Sequence, residues 1–418
     1  MKQTLHEIHQ EKEVAVLAGV DCGEYDAESS ILELEELAKS ADATVVGRLI
    51  QKREHPNPAT YLGEGKLREL SELCEQLEAN LIIFDCELTP SQQRNIENLT
   101  DLKVVDRTEL ILDIFARRAR SSEGKLQVEL AQLNYRLSRL GGQGKMLSRL
   151  GGGIGTRGPG ESKLESDKRH IRRRIYALEN ELKAVEKRRG LLRSRRKKQG
   201  VLSCAIVGYT NAGKSTLLNA LTGAGVLAQD KLFATLDPTA RALSLPDGRK
   251  IMLIDTVGFI SRLPHQLVEA FKSTLEEAVD ADVILNVCDA SSPDCPAHIR
   301  VTTDLLGELG CDKTPILTVM NKCDMVPEVF HIPTIGNNVF ISAKEGIGFD
   351  KLLEKVAALL PAEVLTVRLL IPFAEGGKIP ALREHAHILS ESFTEEGTLL
   401  ELTAQKSVLQ NYEAYVIH

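Results

Sequence analysis

The sequence predicts a multidomain α/β protein in four parts, and three observations lead there. At 418 residues the chain is several times the usual domain size of about 100–200 residues. Short apolar runs alternate with amphipathic stretches over roughly the first quarter and again from about 200 to 361, which is the rhythm of βα units. Between those regions the strand signal stops and two heptad stripes take its place. Hydrophobic residues make up 43% and charged residues 27%, so a core can form without disulfide or metal staples.

Residues 1–112 read as a small α/β domain. Val14–Ala18, Thr44–Ile50 and Leu81–Phe84 have strand character, and Ile31–Leu37 and Leu67–Leu77 carry helical spacing of Leu and Glu. Residues 113–199 read as helix alone. Leu126, Leu130, Leu133, Leu137 and Leu140 form one stripe, and Ile171, Ile175, Leu178, Leu182 and Val185 form another. The connection from Gly141 to Gly160 holds nine glycines, so the simplest arrangement is an antiparallel helical hairpin with a Gly-rich tip. Residues 200–361 show strands at Cys204–Val207, Ile251–Ile254, Val283–Val287, Ile316–Val319 and Val339–Ile341, with helical segments between. Such continuous apolar runs suit a mostly parallel sheet with helices on both faces. Residues 362–418 read as a small α+β domain: strand 364–370, helix 379–387, strand 399–403, helix 408–415.

Charge is distributed unevenly. Between Arg117 and Lys198 there are 24 Lys and Arg against 8 Asp and Glu, within a chain whose net charge is −7. One positive arm on an otherwise acidic protein is the footprint of a polyanion partner such as folded RNA. No apolar run reaches 18 residues, and the first seven residues lack a signal-peptide core. A cytosolic protein without membrane insertion is expected. The eight cysteines are scattered without a C-x-x-C pair, which points to reduced thiols. His385 and His387 fall two apart in the expected last helix but one, on different faces, and receive no role.

Four motifs carry chemistry. Gly208-Tyr209-Thr210-Asn211-Ala212-Gly213-Lys214-Ser215 fits G-x-x-x-x-G-K-[ST] and lies between a strand and a helix. Its glycines let backbone N–H groups face phosphates, Lys214 can reach the β- and γ-phosphate oxygens, and the Ser215 hydroxyl can ligate Mg²⁺. Asp255-Thr256-Val257-Gly258 places a carboxylate where it can act through the Mg²⁺ water shell and an N–H that can meet the γ-phosphate. Asn321-Lys322-Cys323-Asp324 ends a strand and offers a carboxylate for the N1–H and N2–H₂ of guanine; Ser342-Ala343-Lys344 ends the next and would supply backbone contacts to O6. Adenine lacks that donor pair, and an unpaired buried acceptor costs about 1–3 kcal/mol, so the combination predicts a GTP/GDP domain. Gly63-Glu64-Gly65-Lys66 invites reading as a second nucleotide site, for ATP, but the spacing is not that of a phosphate loop and the start of a helix after a loop explains it as well.

The order and wording of these elements resemble the translation-factor-related GTPases. Phe233-Ala234-Thr235-Leu236-Asp237-Pro238-Thr239, the hairpin run Gly151 to Glu161 and Asn57 to Gly63 resemble the HflX family in particular, over the chain up to about 361. The resemblance implies a GTPase that binds the large (50S) ribosomal subunit and its rRNA and splits or rescues stalled ribosomes, especially under stress. It implies Phe233–Asp237 as nucleotide-contacting and Thr235 as the switch threonine completing the Mg²⁺ shell, with Lys214, Thr235 and Gly258 as the catalytic set. Thr239 is the competing switch candidate. Residue 259 is Phe where many GTPases carry the glutamine that orients water, so slow intrinsic hydrolysis is expected. A monomer is the simpler expectation for a factor inserting one arm. An assembly factor and a non-ribosomal GTP-switch adaptor are the alternatives.

Overall fold

The structure is a computed structural model describing residues 12–140, 159–198, 201–223, 232–233, 239–264, 278–311, 313–326, 337–361 and 364–417. The chain divides into two compact units. The first comprises Met1–Val185 with Gln229–Leu236 and Ser261–Phe271, and the second comprises Glu186–Ala228, Asp237–Ile260 and Lys272–His418.

In the first unit, β1 (Val14–Asp21), β2 (Thr44–Lys52), β3 (Leu81–Phe84) and β4 (Lys103–Asp106) form a parallel sheet in the order β2-β1-β3-β4. Ala15, Val16, Leu17 and Ala18 are fully buried, as a strand covered on both faces requires. The helices start where local chemistry satisfies their free N–H groups. Asp26 caps α1 (Ala27–Ser40) by accepting from the Glu28 and Ser29 amides, and a Thr89/Gln92 capping box opens α3 (Pro90–Thr100). Helix α2 (Glu64–Gln76) begins directly after Gly63, and Lys66 pairs with Glu69, so the Gly63–Lys66 run is the start of a helix. Three elements of this unit escaped the sequence reading, α3, β4 and α4 (Arg107–Arg118). Four residues, Lys103-Val104-Val105-Asp106, are too few to show a strand period.

Helices α5 (Ser122–Leu140) and α6 (Pro159–Lys198) bracket the Gly-rich connection, of which residues 141–158 lie outside the described residues. Arg174 of α6 forks onto Glu129 of α5 at 2.7 and 2.8 Å, and Ile175, Leu178 and Leu182 are buried as the second stripe predicts. The first stripe needs correction. Its five leucines are half-buried, whereas Gly124, Gln127, Val128, Ala131 and Tyr135 are buried. Small residues at 124 and 131 let α5 lie close to α4, which turns the leucines to the flank.

In the second unit a six-stranded sheet has the order β10-β9-β8-β5-β7-β6. Its parallel members are β5 (Leu202–Gly208), β7 (Lys250–Asp255), β8 (Val283–Asp289), β9 (Ile316–Asn321) and β10 (Asn338–Phe340). The antiparallel edge strand β6 (Thr239–Ser244) was not foreseen, because its face is largely exposed and Thr-Ala-Arg-Ala-Leu-Ser carries a weak apolar pattern. Helices α7 (Lys214–Thr222), α8 (Cys295–Glu308) and α9 (Phe349–Leu359) connect the strands.

The C-terminal segment forms an antiparallel sheet of β11 (Val364–Ile371), β12 (Ala386–Phe393), β13 (Thr398–Gln405) and β14 (Val416–Ile417), with the helix α10 (Ile379–His385) packed on it. Here the expected helix to residue 387 stops at His385, and residues 386–393 are a strand. A register shift between Ile388 and Ser390 breaks the alternation that would have marked it. Of the expected helix 408–415, residues 406–409 are a single α turn and Gln410–Tyr415 is a 3₁₀ helix. All eight cysteines are free, and among the described residues no helix is long and apolar enough to cross a membrane.

Candidate functional site

The sequence motifs of the second unit converge at the carboxyl ends of β5, β7, β9 and β10, where open α/β sheets place their ligands. Gly208 ends β5 with φ 144°, and a Cβ there would stand 2.1 Å from the Val287 carbonyl oxygen. Gly213 holds φ 90°, and its Cβ would stand 2.3 Å from Asn321 Nδ2. Both positions therefore exclude any side chain. Asn211 between them also adopts the left-handed region, at φ 60°, giving the turn of a loop whose amides point inward.

Lys214 opens α7 and is buried, its ammonium donating to the Gly208 and Tyr209 carbonyls at 3.1 and 2.7 Å. Desolvation pulls its pKa down to about 8, with Asp255 and Cys288 pulling the other way. A phosphate beside the ammonium would raise it again, so nucleotide binding at alkaline pH takes up a proton. The expected GDP affinity is flat below about pH 7 and falls up to tenfold per pH unit above about pH 8. Calorimetric titration in buffers of different ionisation enthalpy reads this uptake, and zero uptake at about pH 8.5 would contradict it.

Ser215 Oγ donates to Asp255 Oδ2 at 2.7 Å. A hydroxyl and a carboxylate this close are hard oxygen donors, and one or two such groups plus phosphate oxygens are what Mg²⁺ takes from a protein, so the pair fits that ion. Thr256, fully buried, donates from Oγ1 to the Ile206 carbonyl at 2.7 Å and holds the start of the segment against β5. Gly258 lies so close to the phosphate loop that a Cβ would meet Thr210 Cγ2 at 2.8 Å and Lys214 Nζ at 2.9 Å. Phe259 zips onto the same loop: its N–H donates to the Gly208 carbonyl at 3.1 Å and its carbonyl accepts from the Thr210 amide at 2.7 Å. The Phe259 ring is buried among Ala205, Val207 and Ile284. A packed ring cannot orient water.

The Asn321–Asp324 and Ser342–Lys344 segments are equally tied down. Asn321 donates to the Ala212 carbonyl at 2.8 Å and accepts from the Ala343 amide at 2.9 Å, stapling the phosphate loop to the Ser342–Lys344 loop. Ser342 donates to Asp324 Oδ1 at 2.6 Å, which orients that carboxylate. Lys322, at φ 63°, reaches Asp289 Oδ2 at 2.7 Å, and Cys323 packs in the core while Lys344 is exposed. Sequence reasoning missed two residues here. Asp289 is the last residue of β8 and could have been noticed as a carboxylate at a strand end. His298 stacks on the Tyr209 ring at 3.7 Å and 14°, a contact 89 positions along the chain that no local pattern signals.

Of the predicted switch residues, Ala234, Thr235, Leu236 and Asp237 lie outside the described residues. Phe233 is buried in the first unit, its ring edge-on to Phe115 at 4.6 Å and 72°. Its side chain is thus engaged in packing, which leaves only its backbone for a nucleotide.

A G-x-x-x-x-G-K-[ST] loop with its buried lysine, a Ser–Asp pair suited to a cation and a carboxylate oriented by a serine, gathered at the carboxyl ends of one sheet, are the features of the class of P-loop GTPases. Three family models match the chain: "GTP-binding GTPase N-terminal" over residues 28–116, "GTP-binding GTPase Middle Region" over 118–196 and "50S ribosome-binding GTPase" over 203–322. The GTPase HflX of Caldanaerobacter subterraneus is 51% identical over 99% of this chain and 96% of its own. Those of Alkalihalophilus pseudofirmus (48% identical, 95% and 96% covered) and Escherichia coli K12 (43%, 88% and 87%) are similar. The chain belongs to the HflX GTPase family, and it hydrolyses GTP to GDP and phosphate.

Proposed function

We propose that this GTPase engages the 50S ribosomal subunit through its basic helical segment, splits or rescues stalled ribosomes, and uses GTP binding and hydrolysis to time that engagement. The observation that carries the reading is the excess of 16 positive charges between Arg117 and Lys198, in the same chain as a G-x-x-x-x-G-K-[ST] loop followed by Asp255–Gly258. On α6, Arg169, Arg172 and Arg173 are exposed together with Tyr176. Neutralising phosphates is the main source of RNA affinity, and an exposed ring beside arginines suits a single-stranded base. The four-part division into 1–112, 113–199, 200–361 and 362–418 follows the same logic: a scaffold, an arm, a switch and a tail.

Within the site, residues 208–215 cradle the phosphates and Lys214 neutralises the charge developing between the β- and γ-phosphates. Ser215 and Thr235 would hold Mg²⁺, with Asp255 acting through its water shell. The ion would supply Lewis-acid neutralisation of the phosphates. Gly258 offers its N–H to the γ-phosphate, Asp324 selects guanine, and residues 342–344 approach O6. Because Phe259 cannot orient the attacking water, the ribosome supplies or orders the missing group, and 50S particles should raise turnover.

Light scattering of purified 70S particles tests the reading. With protein and a non-hydrolysable GTP analogue, scattering should fall as subunits separate, and with GDP it should stay level. Binding to particles without loss of 70S would favour an assembly factor, and neither effect would favour an adaptor outside the ribosome.

A further inference from the structure

A buried hydroxyl without a partner destabilises a fold, and each one calls for an account. Thr210, third in the Gly208–Ser215 run, carries such a group. The residue is 6% exposed, and among the described residues its Oγ1 has no hydrogen-bond partner. Its neighbours in the loop are engaged: Lys214 with the Gly208 and Tyr209 carbonyls, Ser215 with Asp255, and the Tyr209 ring with His298. Packing alone would be served at least as well by valine, which keeps the branched shape and buries no hydroxyl.

The Thr210 backbone is fixed by the residue that stands where many GTPases carry a glutamine. Its amide donates to the Phe259 carbonyl at 2.7 Å, the Phe259 amide donates to the Gly208 carbonyl at 3.1 Å, and the Phe259 ring is anchored among Ala205, Val207 and Ile284. The side chain lies against Gly258, where a Cβ would stand 2.8 Å from Thr210 Cγ2, 3.1 Å from Thr210 Cα and 2.9 Å from Lys214 Nζ. Thr210, Gly258 and the Lys214 ammonium therefore border one small space. A lysine of this loop type reaches the β- and γ-phosphates, which makes that space the place of the terminal phosphate. A change of χ1 between staggered wells exchanges Oγ1 for Cγ2, so the hydroxyl can face it without movement of the backbone.

We propose that Thr210 is a catalytic residue of GTP hydrolysis, its hydroxyl meeting the γ-phosphate and the attacking water in the role that Phe259 cannot fill. A hydroxyl donates and accepts at once. It donates to a γ-phosphate oxygen and accepts from the water, which holds the water oxygen in line with phosphorus. As that oxygen bonds to phosphorus, the bond to the bridging oxygen breaks, its electron pair leaves with GDP, and the protons of the water stay with the phosphate formed. Thr210 keeps its own proton and forms no covalent bond. GDP offers this hydroxyl nothing, so it serves the triphosphate alone. The inference rests on the reading of residues 208–215 and Gly258 as the phosphate cradle.

Single-turnover hydrolysis, GDP affinity and thermal melting of the full-length protein, compared in wild type, Thr210→Val and Thr210→Ser, test the assignment. Thr210→Val should hydrolyse GTP about 10- to 100-fold more slowly. Its GDP affinity should match wild type, because the loop amides are untouched, and without nucleotide it should melt at or above the wild-type temperature. Thr210→Ser, which returns the hydroxyl, should recover most of the rate. Wild-type turnover in Thr210→Val overturns the proposal. So does a serine variant as slow as the valine one, or a valine variant that melts well below wild type, since either makes the residue structural. Lys214→Ala, measured alongside, separates the two readings: GDP affinity unchanged there removes the cradle itself, and the proposal with it.

Discussion

Asp324→Asn should lower GTP affinity roughly 30- to 150-fold and turn the site toward xanthine nucleotides. In the proposed role the carboxylate would give guanine two charge-assisted acceptors. An asparagine keeps one acceptor and presents an amide donor where guanine also presents a donor, which costs about 2–3 kcal/mol. Xanthine carries a carbonyl in place of the exocyclic amine, and the amide can donate to it. Fold and loop geometry should survive, since the retained carbonyl can still accept from Ser342, which in wild type donates at 2.6 Å. Competitive displacement of a fluorescent guanine nucleotide by GTP and by XTP measures the switch. Unaltered guanine selectivity would mean that another group reads the base.

Lys214→Ala should separate binding from stability. In the proposed role the ammonium would make two charge-assisted contacts to phosphate, each about 1.5–3 kcal/mol, so without it nucleotide affinity should fall by two to three orders of magnitude or more. The protein without nucleotide should melt within a few degrees of wild type. Burial already pulls the Lys214 pKa down to about 8, so relief of desolvation offsets the two bonds lost at the Gly208 and Tyr209 carbonyls. Thermal melts with and without GDP distinguish the two effects: the wild-type gain on adding GDP should be absent in the variant. A variant that still gained as much as wild type would contradict the role given to Lys214.

The parts of the protein readable from sequence are those whose physics is local. Continuous apolar runs marked nearly every buried parallel strand, and Gly208, Gly213 and Lys214 announced themselves because a phosphate loop needs those residue types in that order. Elements whose stability comes from distant partners did not show. Strand β4 is four residues long and held by β3, and the edge strand β6 is exposed. The leucine stripe of α5 misled because periodicity gives a helix its phase but not which flank meets a neighbour, and small residues took the close contact. In the site, Asn321 reads as part of a base-recognition motif, whereas the staple it forms between Ala212 and Ala343 is visible only in three dimensions.

Cosedimentation with isolated 50S particles, comparing protein loaded with a GTP analogue, loaded with GDP and stripped of nucleotide, puts the whole account at risk in one experiment. Retention should be strong with the analogue and weak in the other two conditions, and it should decline steeply with added salt as a phosphate-contacting arm requires. Equal retention in all three would mean that the terminal phosphate does not govern the grip on the ribosome.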